Sequence, residues 1–262
     1  MASLAIIGFL YLNRKIFANA LFILLVTPAI NAYLKLLWKL PLPPGVGTHT
    51  YAFPSGHLHA ALVFWGFLAI SYKNLPWRIF VSGFLILNAW AIYAKGYHYP
   101  IDLFGALFFA VLSLIIFYLL LKQSYIRHSP PITGIVFFLT GSILILANQE
   151  ISVINQAVIP ALGALLGFSL GWTLTRWSEC IKFNDCDNLK LLLPNSNMKA
   201  KLFLIWALGL AAMVYTHFHL LPEEIFSSPD LRKFIGFFMI ALWIAASPIS
   251  VISYPNEKEK NA

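Results

Sequence analysis

The chain has 262 residues, 60% of them hydrophobic and only 11% charged, and a mean hydropathy of +0.77. A soluble domain is about a quarter charged, so this composition excludes an ordinary water-soluble enzyme and predicts an all-α polytopic membrane helical bundle. The net charge of +8 does not point to nucleic acid, because Lys and Arg collect in the cytoplasmic loops of membrane proteins. In chain order, Met1 to Leu12 is apolar but shorter than the about 20 residues a span requires. Arg14 and Lys15 follow this run, and no small-residue cleavage site succeeds it. The segment therefore reads as a partial or interfacial helix and not as a cleaved signal peptide. Eight spans are then expected: Ile16–Trp38, Gly56–Tyr72, Ile79–Tyr97, Ile101–Leu121, Ile132–Ala147, Ser152–Thr175, Leu202–Leu220 and Phe234–Tyr254. The longest polar connection is Arg176–Lys201. Its Cys180 and Cys186 read as free thiols in a reducing compartment.

Chemistry-bearing residues concentrate in residues 1–125, whereas 126–262 adds spans without a recognisable site. Tyr51-Ala-Phe-Pro-Ser-Gly-His-Leu-His59 leaves a loop containing Pro and Gly and runs into an apolar segment. Pro54 and Ser55 suit the start of a helix, with Ser55 as its cap. The free N–H groups and positive dipole end of such a helix suit a phosphate, and His57 in the first turn is placed to move a proton. About forty residues on, His98-Tyr-Pro-Ile-Asp102 again opens an apolar segment. The four-residue spacing puts the imidazole and the carboxylate on one face if this stretch is helical. A carboxylate beside an imidazole fixes its tautomer and strengthens it as a nucleophile.

The cations give these motifs a common side. With loops alternating from an inside N-terminus, thirteen of the 18 Lys and Arg residues fall inside, and Lys35, Lys39, Lys95, Arg232 and Lys233 fall outside. This bias places both termini in the cytoplasm. The end of the first span, the start of the second, the end of the third and the start of the fourth then share the non-cytoplasmic face. Lys35, Lys39 and Lys95 are exceptions to the charge rule at the place where a phosphate would need them.

Lys35 followed after six residues by Leu42-Pro43, then Pro54-Ser55-Gly56-His57, then Ala91-Ile92 followed after five residues by His98 and after three more by Asp102, resembles the three motifs of the type 2 phosphatidic acid phosphatase superfamily. These are membrane lipid phosphatases whose fold is shared with vanadium haloperoxidases. The resemblance covers Ile16 to about Leu121. It implies that His98 attacks phosphorus to form a phosphohistidine and that Asp102 orients His98. His57 would protonate the leaving oxygen and then activate water. Lys35, Ser55 and the Gly56 backbone would hold the phosphate oxygens. The motifs depart from the family at three positions: Leu42 and Ile92 stand where it has arginines, and Ala91 where it has serine. Arg binds phosphate through two parallel hydrogen bonds, and Leu or Ile cannot. Lys39, four residues after Lys35 on a helix, and Lys95, three after Ile92, are the candidate replacements.

The expected function is hydrolysis of a lipid phosphomonoester or diphosphate at the outer face of a membrane, with no metal or other cofactor, no nucleic acid, and membrane lipids as the surroundings. A bacterial inner membrane with a periplasmic site fits the charge pattern. The alternatives are a lipid phosphotransferase passing the head group to an alcohol, and a non-catalytic binder of lipid phosphate. Among the other polar residues, His49 reads as a solvated loop residue and His59 as packing or interfacial. His217, His219, Glu223 and Glu224 read as a wetted loop with no metal-site spacing. Trp38, Trp77, Trp90, Trp172 and Trp177 read as an aromatic belt.

Overall fold

A computed structural model describes residues 1–46, 50–122, 134–136, 138, 139, 141–143, 157–183, 196–215 and 229–247. The expectations placed on His49, Cys186, His217, His219, Glu223 and Glu224 lie outside them. Among the described residues there is helix and no strand. The elements are α1 (Ala2–Tyr11), α2 (Arg14–Trp38), α3 (Gly56–Ser71), α4 (Leu75–Ala94), α5 (Pro100–Lys122), α6 (Val158–Phe183), α7 (Ser196–Tyr215) and α8 (Pro229–Ala246). Residues 134–136, 138, 139 and 141–143 are also helical.

Among the described residues, four helices are long and apolar enough to cross a membrane: α2, α4, α5 and the Val158–Ser178 part of α6. At 16 residues, α3 extends about 24 Å at 1.5 Å per residue, short of a full hydrocarbon core. Apolar side chains cover the outside of α4 and α5, Ile79, Phe80, Ile86, Leu87, Phe104 and Phe108 among them. Such surfaces are compatible with lipid around an integral membrane protein.

Local chemistry explains the helix boundaries. The Asn13 side chain accepts from Ile16 N–H at 3.0 Å and starts α2. The Asn74 side chain accepts from Trp77 N–H at 3.2 Å and starts α4, four residues earlier than the apolar pattern predicts. The predicted loop from Arg176 is shorter than expected, because α6 runs on to Phe183 and α7 begins at Ser196. The charged and polar residues after Thr175 are adequate helix formers, and no proline intervenes before Pro194.

The N-terminal segment is a short helix that packs on the core. Ala5, Phe9 and Leu10 are buried. Gly8 lies flush on the Phe17 ring of α2, where a Cβ would come within 2.2 Å. Phe9 packs on Phe168 and Trp172 of α6, with ring centroids 5.0 and 4.9 Å apart. Trp172 is consequently a core residue at 4% exposure and not part of a belt. Phe22 of α2 reaches the same Phe168. One apolar cluster thus draws on α1, α2, α3, α5, α6 and α8, so the core continues across the boundary near residue 125.

Among the described residues, the most extensive helix–helix contact is between α6 and α8. Gly163, Gly167 and Gly171 repeat every fourth residue and face the α8 backbone; a Cβ at Gly167 would lie 2.1 Å from the Phe238 carbonyl oxygen. Small residues at this spacing let two helices approach in lipid, where packing rather than water exclusion drives association. Thr175 Oγ1 adds an interhelical bond to the Ala245 carbonyl at 2.7 Å. Gly167→Leu is expected to force the pair apart and cost at least the about 1–3 kcal/mol typical of overpacking. The check is thermal unfolding of the detergent-solubilised protein, where an unchanged midpoint would refute this packing.

Candidate active site

The C-terminal ends of α2 and α4 and the N-terminal ends of α3 and α5 carry the motif residues. A cavity of about 730 Å³ opens among them, lined by Lys35, Gly56, His57, Lys95 and His98, by Asn31 beside Gly56 and, more deeply, by Thr27, Ala60 and Asn88.

The loop between α2 and α3 is held at several points. Ala52 N–H donates to Leu40 O at 2.8 Å. Phe53 packs against Trp38 and Phe109, and Gly105 of α5 leaves the space its ring needs. Asn31 Nδ2 donates to Pro54 O at 3.1 Å. The Phe53–Pro54 peptide is cis. Ser55 stands at the N-cap of α3, but its side chain makes no capping bond. Its backbone N–H instead donates to Asp102 O at 3.1 Å, and its hydroxyl is buried without a partner among the described residues. Ser55 does not line the cavity, whereas Gly56 and His57 do.

His98 and Asp102 meet, though not by helical stacking. Gly96, with φ of +68°, ends α4. Its N–H donates to Tyr93 O, and Tyr97 N–H donates to Ile92 O, a Schellman closure that only glycine adopts without strain. The chain then turns, and α5 begins at Pro100. Asp102 Oδ2 reaches back to the Tyr99 N–H at 2.9 Å, one half of a capping box. The same oxygen lies 3.2 Å from His98 Nδ1. His98 precedes the helix, so the His–Asp contact is made through this cap. A carboxylate accepts only, so in the neutral imidazole this contact favours the tautomer with the proton on Nδ1 and the lone pair on Nε2. Asp102 is fully buried behind His98 and does not line the cavity.

The lysines divide by backbone geometry. Lys35 is buried; its Nζ donates to Tyr51 O and lies 3.4 Å from Thr50 Oγ1, yet it still faces the cavity. Lys39 is the C-cap of α2 in the left-handed region, φ 47°. The helix ends before it, so the face-sharing expected with Lys35 fails, and Lys39 lies exposed away from the cavity. Lys95 caps α4 with φ −80° and ψ −2°. It stays on the helical track and shares a cavity-lining face with Asn88, Ala91 and Ile92. All three departures from the family motifs, Leu42, Ala91 and Ile92, line the cavity as well.

Among the lining residues missed from the sequence are the carboxamides Asn31 and Asn88. The signal was present: each is a carboxamide inside an apolar span, and Asn31 is four residues before Lys35. His59 is fully buried on the packed side of α3. Among the described residues, no group of three metal-ligating side chains gathers. No family model, curated protein or solved structure matches the chain.

Proposed function

We propose that this chain is an integral membrane lipid phosphatase that works through a histidine nucleophile, as the resemblance to type 2 phosphatidic acid phosphatases implies. The observation that carries this reading is the meeting of three separated motifs on one cavity. Lys35, Gly56-His57 and His98 line it, with the Asp102 carboxylate on the far nitrogen of His98.

In the first half-reaction His98 Nε2 attacks phosphorus. A P–N bond forms, the ester P–O bond breaks, and His57 gives its proton to the departing lipid alkoxide. In the second, His57 takes a proton from water, whose oxygen attacks phosphorus and releases His98. Charge on the transferring group is met by Lys35, Lys95 and the free N–H groups at the start of α3. Eight spans, resting on the apolar runs, and cytoplasmic termini with a periplasmic site in a bacterial inner membrane, resting on the charge pattern, complete the proposal.

A second reading is transfer of the phosphoryl group to an alcohol instead of water. It is favoured by the apolar wall of Leu42, Ala91 and Ile92, which leaves room beside the phosphate for a lipid acceptor.

The test is phosphate release from lipid phosphomonoesters and diphosphates by the purified protein in detergent without added metal, beside His98→Ala. The expected result is release by the wild type and loss in the variant. Equal release by both would overturn the histidine mechanism. Product formed only when an alcohol is added would select the transferase.

A further inference from the structure

The lower cavity bears on which lipid is bound. Gly56 and His57 mark the phosphate level, and Ala60, one turn or about 6 Å deeper, lines the same space. Asn88 on α4 is likewise one turn below Ile92 and two below Lys95. Two polar side chains line this deeper part, Thr27 and Asn88; Asn31, whose Nδ2 donates to Pro54 O and whose Oδ1 is buried without a partner among the described residues, lies beside Gly56 at the phosphate level. Thr27 Oγ1 donates to Ile23 O at 2.6 Å. Asn88 is half-buried, and its carboxamide makes no hydrogen bond among the described residues. An uncommitted amide facing an apolar cavity inside a membrane span is unfavourable unless a ligand completes it.

We infer that Asn88 is a specificity-determining residue that reads a hydrogen-bonding group on the lipid just below its phosphate. This rests on the phosphatase reading and narrows it to lipids whose phosphate is borne by an ester-, amide- or hydroxyl-carrying backbone. Glycerolipid and sphingoid phosphates carry such groups a few bonds from the phosphate oxygen. A polyisoprenyl phosphate carries only hydrocarbon there and would leave Asn88 unpaired, which a site built to hydrogen-bond rejects strongly.

The experiment compares kcat/KM of the wild type and Asn88→Leu on diacylglycerol phosphate, ceramide 1-phosphate and a polyisoprenyl monophosphate in one detergent. For the wild type, at least one of the first two is expected to exceed the polyisoprenyl substrate by about tenfold or more, and which one leads separates ester from amide recognition. In Asn88→Leu that advantage is expected to collapse, mainly through KM, while turnover of polyisoprenyl phosphate holds or rises. That retained turnover also shows the variant is folded. Polyisoprenyl phosphate as the best wild-type substrate, or a parallel fall on all three in the variant, would overturn the inference and leave the phosphatase reading standing. No release from any of the three by the wild type would remove both. Asn88→Gln, which keeps the amide, is expected to retain part of the preference.

Discussion

Asp102→Asn is expected to lower phosphate release by about 10²–10⁴-fold without unfolding the protein. Asp102 Oδ2 accepts from both the His98 ring and the Tyr99 N–H. An asparagine whose oxygen takes the Oδ2 position keeps both contacts, but only as a neutral acceptor, and its NH2 group falls where Oδ1 is buried without a partner among the described residues. The hydrogen bond that orients the imidazole then loses its charge assistance. The substitution also removes the charge that steadies the cationic phosphohistidine formed when His98 attacks. Two measurements check this: the rate of phosphate release, and the melting temperature in detergent. A large fall in rate with a small change in melting identifies the lost charge as the cause. A rate within tenfold of wild type would show that the Asp102–His98 pair is structural.

Ile92→Arg is expected to raise kcat by about 10²–10³-fold at best, the amount lost when one charged donor is removed from a transition state. Ile92 and Lys95 share a cavity-lining face of α4, so a guanidinium at 92 would enter the phosphate site from the side that has no fork-like donor. Lys95 supplies a point charge there and cannot bind two phosphate oxygens in parallel. The gain belongs in kcat if the extra donor acts on the transition state, and in KM alone if it only tightens substrate binding. The same substitution with Lys95→Ala decides whether the two cations are redundant: a double variant as active as Ile92→Arg alone would show that Lys95 stands in for the missing arginine. No gain from Ile92→Arg would mean that phosphate does not approach this wall, and would weaken the phosphatase proposal.

The amino-acid sequence by itself determined the helical, membrane-compatible character of the chain and the motif residues. Long apolar runs with few charges make helix the cheapest way to satisfy backbone groups away from water. Pro-Ser-Gly-His and His-x3-Asp are local patterns, legible because residues a few positions apart act together. What lies between distant segments was decided only by the tertiary structure. The cavity that joins Lys35, His57, Lys95 and His98 depends on four helix ends meeting. The inward packing of α1 depends on Gly8 fitting Phe17. The fates of the two candidate lysines turned on one backbone torsion each: a left-handed residue at the end of α2 carries Lys39 away, and a right-handed one at the end of α4 keeps Lys95 in place. Side-chain spacing cannot report that difference, because a helix face exists only while the helix continues. Asn88 stood out in sequence only as a carboxamide in an apolar run; that it faces the cavity with no hydrogen bond among the described residues was decided by the fold.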